Sequence, residues 1–336
     1  MVRRALLAVV AVLALSLSAL SCDRGQSSGG GDAGPKGLTI AVIPKGTTHE
    51  FWKSVHAGAV KASRELGVQI IWKGPLKEDD LKGQIDVVQS FTAQGVSGIV
   101  VAPLSDKGLT NSVRAATQAK VPVVVFDSDL AGKDHVSFVA TDNRAAGKMA
   151  GEHLAKLLDG KGKVVLLRYQ EGSASTNNRE QGFLEAIKAN PGIQLVSDNQ
   201  FGGATTESAF STSETLLSAQ KAAEGGVDGV FCPNESTTFG MLLALQKLGL
   251  AGKIKLVGFD SSEKLVQGLA AGQLHGLVLQ NPFNIGYLAV KTMVRHLRGE
   301  KVEERIDTGA QLVTKENMTE PAVKELLQPD LGKWLN

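Results

Sequence analysis

Two stretches of this 336-residue chain repeat one another in order and spacing. Gly98-Ile99-Val100-Val101-Ala102-Pro103 answers Gly229-Val230-Phe231-Cys232-Pro233-Asn234, and Val123-Val124-Val125-Phe126-Asp127 answers Leu256-Val257-Gly258-Phe259-Asp260. Short apolar runs of this kind, separated by helical periodicity, read as the buried strands of a parallel sheet covered by helices on both faces. The chain is too long for one ordinary core. The duplication therefore predicts two α/β lobes, each a Rossmann-like, doubly wound parallel sheet. Ligands of such sheets sit outside the strand carboxyl ends, so two facing lobes make a cleft with those ends on both walls.

The first unit sets the pattern. Leu38–Ile43 reads as a buried strand, Pro44–His49 as a loop, and the following residues as an amphipathic helix. Phe51, Val55, Ala59, Ala62 and Leu66 recur at spacings of 4, 4, 3 and 4 and share one helical face. Phe51 and Trp52 are neighbours, which on a helix diverge by about 100°, so one ring is expected to pack and the other to stand at the strand end. Further strands are predicted at 68–72, 98–102, 121–126 and 136–140, then at 163–168, 194–197, 229–232, 255–259 and 276–279, with helices between them. One of those helices is placed at Asn178–Ala189, and the last at Asn284–Leu297.

The first 22 residues read as an address. A basic start, Met1–Arg4, precedes a sixteen-residue apolar run, Ala5–Leu20, and then Ser21-Cys22. The run is shorter than the roughly 20 residues of a spanning helix and has the flanks of a secretory signal. Ala19-Leu20-Ser21-Cys22 resembles a bacterial lipobox, which implies a lipid on Cys22; the plainer alternative is a signal peptide cut near Ser21. Residues 23–37 then read as a disordered Gly/Ser-rich tether. The fourteen residues Asp23–Lys36 reach about 20 Å as a flexible coil. Arg3 and Arg4 account for the formal charge of +2, leaving 34 basic and 34 acidic residues beyond the leader. A neutral chain has no electrostatic reason to bind nucleic acid or anionic lipid. Cys232 is the only other cysteine, so no disulfide framework exists and a buried apolar role is expected for it.

Chemistry should gather at the strand ends. The first half offers His49, Glu50, Phe51, Trp52, Asp127, Ser128 and Asp129. The second offers Ser175, Thr176, Asn177, Arg179, Asn234, Glu235, Asp260, Ser261, Gln280 and Asn281. Carboxylates and amides suit neighbouring sugar hydroxyls, and a flat aromatic covers the C–H face of a sugar ring. Plainer roles stand beside these: Asp127 or Asp260 as a helix cap, Trp52 as core, Arg179 as a structural ion-pair partner, and Asp142 with Asn143 as a cap at a crossover. Matched placement in both halves favours ligand contact for the two aspartates. No phosphate-loop, dinucleotide, serine-hydrolase or zinc-protease motif is present, and the six histidines form no ligand spacing, so an enzyme, a cofactor and a metal are not expected.

The chain resembles the periplasmic sugar-binding proteins of the ribose/galactose type, whose fold is shared by lactose-repressor-type regulators. The resemblance is carried by I-P-K-G-T-T-H-E-F-W (43–52), V-V-V-F-D-S-D (123–129), F-V-A-T-D-N (138–143) and G-S-A-S-T-N-N-R-E-Q-G-F (172–183). It continues through V-F-C-P-N-E (230–235), L-V-G-F-D (256–260) and L-V-L-Q-N-P (277–282). It implies ring-stacking by Phe51 and Trp52, a polar contact from His49, hydroxyl binding by Asp127 and Asp260, and amide contacts from Asn234 and Gln280. Ser128 and Asn177 stand where ribose binders have arginines, and a second-lobe aromatic is missing unless Phe201 supplies it. Ribose, a hexose, a modified sugar and a polyol all stay open. The resemblance also implies three crossovers, near Asp142, Gln280 and Gly309, with residues 38–141 plus 281–308 in one lobe and 142–280 plus 309–336 in the other. Its partners are a sugar and an ABC-importer permease, and the protein is expected to act as a monomer held to the membrane by the lipid alone. A receptor passing the closed state to a sensor kinase or chemoreceptor is the alternative. A transcriptional regulator is disfavoured, because residues 1–37 hold no helix-turn-helix.

Overall fold

The computed structural model describes residues 37–335. The expected leader, Cys22 and most of the expected tether lie outside the described residues. The first half builds β1 (Thr39–Ile43), α1 (Glu50–Leu66), β2 (Gln69–Trp72), α2 (Leu81–Gln94), β3 (Gly98–Val101), α3 (Thr110–Gln118), β4 (Val123–Phe126) and β5 (Ser137–Ala140). The second half builds α4 (Asn143–Leu157), β6 (Gly162–Arg168), α5 (Ala174–Lys188), β7 (Ile193–Phe201), α6 (Thr206–Ala219), β8 (Gly229–Phe231), α7 (Glu235–Lys247), β9 (Lys255–Phe259), α8 (Glu263–Ala270) and β10 (Gly276–Leu279). The chain ends with α9 (Pro282–Leu297), β11 (Arg305–Asp307), β12 (Gln311–Val313), α10 (Pro321–Leu327) and α11 (Gly332–Leu335).

The strands form two six-stranded sheets, ordered β2-β1-β3-β4-β5-β11 and β7-β6-β8-β9-β10-β12. Both follow one permutation, as the duplicated motifs require. The repeat breaks only at the last strand: β11 runs parallel to β5, whereas β12 runs antiparallel to β10. Central strands such as β3 and β4 are buried at every position, which explains their unbroken Val and Ile runs.

Three chain passages join the sheets: β5 to α4, β10 to α9, and β11 to β12. Each lobe is sealed by a helix that arrives from the other sheet. α9 packs on α1 and α4 packs on α5. Both pairs touch backbone to backbone, because a Cβ at Gly58 or Gly286 would overlap the carbonyl of Phe283 or Val55, and one at Gly147 or Gly182 would overlap that of Arg179 or Arg144.

Two expectations change. α5 starts at Ala174, four residues earlier than the polar run Ser175-Thr176-Asn177 suggests, because Ser175 and Thr176 are buried between the lobes and tertiary packing outweighs their turn preference. The segment after β12 does not stay with one lobe. Val323 and Leu327 enter the second core, while Trp334 lies 6.1 Å from Phe283 of α9.

Candidate functional site

The loop after β1 and the first turn of α1 supply Lys45, His49, Phe51 and Trp52. The two aromatics do not divide between core and cleft. Their rings meet edge to face at 4.9 Å and 88°, both are buried, and both wall the pocket between the lobes. Divergent neighbours at a helix start thus pack against each other, and Trp52 meets Phe126 edge-on at 6.2 Å as well.

Asp127 and Asp260 end β4 and β9, and both carry a left-handed backbone, with φ of 61° and 63°. Each N–H is held by the neighbouring strand, Asp127 by the Val139 carbonyl at 2.9 Å and Asp260 by the Val278 carbonyl at 3.0 Å. Aspartate tolerates this region better than most residues, yet two matched instances store strain of the kind found at functional sites. Both carboxyls face one pocket. Asp127 lies 3.5 Å from the Lys45 ammonium, and Asp260 lies 3.8 Å from the Arg179 guanidinium and accepts from Gln280 Nε2 at 2.8 Å. Burial raises the pKa of both, opposed by Lys45 at Asp127 and by Arg179 at Asp260. Neither caps a helix. Ser262 caps α8, and Asp142 caps α4 by accepting from the Ala145 N–H at 3.0 Å.

Arg179 is more than a structural partner. It is 2% exposed, lies 3.9 Å over the Phe259 ring, donates to Asn143 Oδ1 at 2.8 Å and to the Pro233 carbonyl at 2.9 Å, and walls the pocket. Asn177 itself is half-buried and off the pocket wall, since the early start of α5 turns that position away. Ser128 is also off the wall; it is fully buried and its Oγ accepts from the Ser175 N–H at 3.2 Å, across the lobes. Phe201, at the end of β7, is 38% exposed beneath Arg168 and does not reach the pocket. Asn234 and Gln280 do. The Asn234 side-chain Oδ1 is committed to capping α7, accepting from the Thr237 N–H and Oγ1, while Gln280 keeps a buried Oε1 with no partner.

Sequence reasoning missed Lys45, Glu78 and Tyr169. Glu78 lies in Lys77-Glu78-Asp79-Asp80, which looks like a solvated charge run, yet it is 6% exposed. Its carboxylate accepts from Trp52 Nε1 at 2.7 Å and from the Tyr169 hydroxyl of the other lobe at 2.7 Å, and pairs with His49 Nδ1 at 2.7 Å. Burial opposes both charges. The pairing overcomes it, lifting the His49 pKa to about 9 and lowering that of Glu78 to about 2. Lys45 also donates to Ser173 Oγ at 3.2 Å and Ser175 Oγ at 3.0 Å, bridging the lobes. Only the loop position of Lys45 and the strand-end position of Tyr169 could have flagged them.

Two glutamates complete the lobe contact. Glu235 accepts from the Glu50 and Phe51 N–H groups at 3.3 and 3.2 Å, and Glu50 accepts from the Glu263 N–H at 3.3 Å. Each carboxylate sits at the amino end of a helix from the opposite lobe, where the dipole favours it. Burial still raises the Glu235 pKa to about 7, against the His49 charge and the Phe51 N–H.

The walls form one partly open pocket between the lobes. It combines carboxyl acceptors, cationic donors, two amides and aromatic rings, a set suited to a small polar solute. Among the described residues no group of three or more His, Cys, Asp or Glu side chains is placed to hold a metal ion. Two hinged α/β lobes around such a pocket define a bilobal solute-binding protein. Residues 40–301 match the family model described as a periplasmic binding protein domain, and the chain belongs to that family. It is 30% identical over 282 residues to the ribose import binding protein RbsB of Salmonella typhimurium, covering 83% of this chain and 91% of that one. It is 28% identical to the D-ribose/D-allose-binding protein of Pseudomonas aeruginosa, covering 93% and 98%. Among solved structures it is similar to a carbohydrate-transporter solute-binding protein from Agrobacterium radiobacter in complex with D-arabinose, with 34% identity, a TM-score of 0.83, and coverage of 88% and 100%. It is also similar to an ABC-transporter solute-binding protein from Agrobacterium vitis with bound D-fucose, with 33% identity, a TM-score of 0.81, and coverage of 86% and 100%.

Proposed function

We propose that this protein captures a monosaccharide or related polyol between its lobes and presents it, in the closed form, to the permease of an ABC importer. The observation that carries the reading is the matched pair Asp127 and Asp260, on left-handed strand ends of opposite lobes and facing one pocket. Relatives named for ribose and allose, and similar structures holding D-arabinose and D-fucose, support the ligand class.

In this reading Asp127 and Asp260 accept hydroxyl hydrogens, Gln280 and Asn234 add amide contacts, and Phe51 and Trp52 cover the ring, with His49 ordered beside them. Lys45, Glu78 and Arg179 join the set. Hydrogen bonds to charged groups are worth about 1.5–3 kcal/mol each. Three or four reach micromolar affinity, about −8 kcal/mol, after the costs of association. A solute touching both lobes drives closure by its differential affinity. The protein acts as a monomer without enzymatic turnover, secreted and tethered by a lipid on Cys22; the basic–apolar–Ser21-Cys22 leader supports the secretion and the tether.

Thermal-shift screening against pentoses, hexoses, polyols and amino sugars tests the reading. A true ligand at a hundred times its dissociation constant adds about 2.7 kcal/mol of stability. Stabilisation by amino acids or nucleosides, with none from any sugar or polyol, would overturn it. Recovery of the sugar unchanged after incubation is the matching expectation for a carrier.

A further inference from the structure

We propose that the carboxyl-terminal segment is a strap that ties the two lobes together and biases them towards closure. It lies beyond residue 301, where the family match ends. Its first helix, α10, is anchored in the second lobe, where Val323 is fully buried and Leu327 is 7% exposed within the core. Its last helix, α11, lies on the first lobe. Arg64 of α1 donates from Nη1 to the Lys333 carbonyl at 3.3 Å and from Nη2 to the Trp334 carbonyl at 3.1 Å, and its guanidinium stands 5.7 Å from the Trp334 ring. Trp334 also faces Phe283 of α9 at 6.1 Å. The chain thus passes between the lobes a fourth time.

The crossing runs where opening must act. Gln328, Pro329 and Leu331 form one side of a groove whose other sides include Glu50 and Ser54 of the first lobe and Glu263 of the second. The Glu50–Glu263 contact that bridges the lobes lies in that groove. Separating the lobes there breaks this contact and pulls the two seats of the strap apart. The seats are unequal: α10 is held by buried apolar side chains, whereas Trp334 is only half-buried and α11 is four residues long. The α11 end is therefore the one that releases, the low-stability end being the one that moves.

The proposal requires only that the lobes hinge, so it is tested first without a sugar. Small-angle X-ray scattering compares the protein with Arg64→Ala/Trp334→Ala and with Trp334→Phe, while hydrogen exchange follows α11 and the core strands. The expected result is loss of protection at α11, intact protection at β1 and β9, and scattering shifted to a larger radius in the double variant, with Trp334→Phe close to wild type. Because apparent affinity scales with the closed fraction, the double variant should also bind D-ribose or D-arabinose, whichever stabilises the wild type, about three- to tenfold more weakly. Freed α11 with unchanged scattering would overturn the strap. Larger scattering with no response to any sugar would uphold it and count against the sugar reading instead.

Discussion

The loop after β1 and the loop after β6 hold equivalent places in the two sheets, yet they bring different chemistry to the pocket. The first delivers Lys45, His49 and the ring pair Phe51–Trp52; the second delivers Tyr169, Ser175 and Thr176, with Arg179 about one turn further along α5. The acids behind them barely differ. Asp127 and Asp260 share φ, strand-end hydrogen bonding and a cationic partner from their own lobe. Duplication therefore preserved the frame, which the parallel ladder dictates, while the loops diverged to give an aromatic wall on one side and a hydroxyl-rich one on the other.

Glu78 is where the lobes differ most, since no second-lobe residue gathers an indole and an imidazole from its own lobe and a phenol from across the cleft. Glu78→Ala leaves three buried donors without their acceptor and should cost about 3 kcal/mol of stability, measured by denaturant unfolding. The charge pair predicts a pH signature. The Glu78 pKa falls from 4.5 to about 2, so its contribution is present above 4.5 and lost as pH falls towards 2. The His49 pKa rises from 6.5 to about 9, so its contribution is present below 6.5 and lost as pH rises towards 9. The Tm gap between wild type and Glu78→Gln should be widest between pH 4.5 and 6.5 and narrow on both sides. Taking the difference removes Glu235 and Glu180, whose carboxyls burial raises to about 7 and whose contributions fall as pH rises from 4.5 towards 7, opposite to that of Glu78.

The equivalence of the aspartates is next. Asp127→Asn and Asp260→Asn should each weaken sugar binding by about 2 kcal/mol, about 30-fold by calorimetry. Wild-type affinity in one of them would break the symmetry. Asn234→Ala separates two roles. Loss of the α7 cap costs about 1 kcal/mol of stability whether or not sugar contacts the amide, so only a binding loss beyond that marks a ligand contact. Ser128→Ala is the mildest. It removes one acceptor for the Ser175 N–H between the lobes, and a change in affinity of about fivefold or less is expected.

Much of this is legible in the sequence. Leu38–Ile43 and Gly98–Ala102 announce buried parallel strands by composition, and the matched Asp127 and Asp260 announce a shared cleft. Strands β11 and β12 were not legible: three-residue segments with polar flanks carry no periodicity. The place of Asn177 was not legible either. The start of α5 at Ala174, ahead of it, depends on burial of Ser175 and Thr176 against the other lobe, which local propensity cannot register.

The order of strands and helices, the twin sheets and the acidic strand tips are properties of the sequence alone, because hydrophobic period and chain connectivity are local or nearly so. The protonation and pairing of the pocket were decided only by the tertiary fold. Glu78 meets Tyr169, Lys45 meets Ser175 and Trp334 meets Phe283 across long sequence separations, and the partners that the fold brings to Glu78 keep its carboxylate charged against burial.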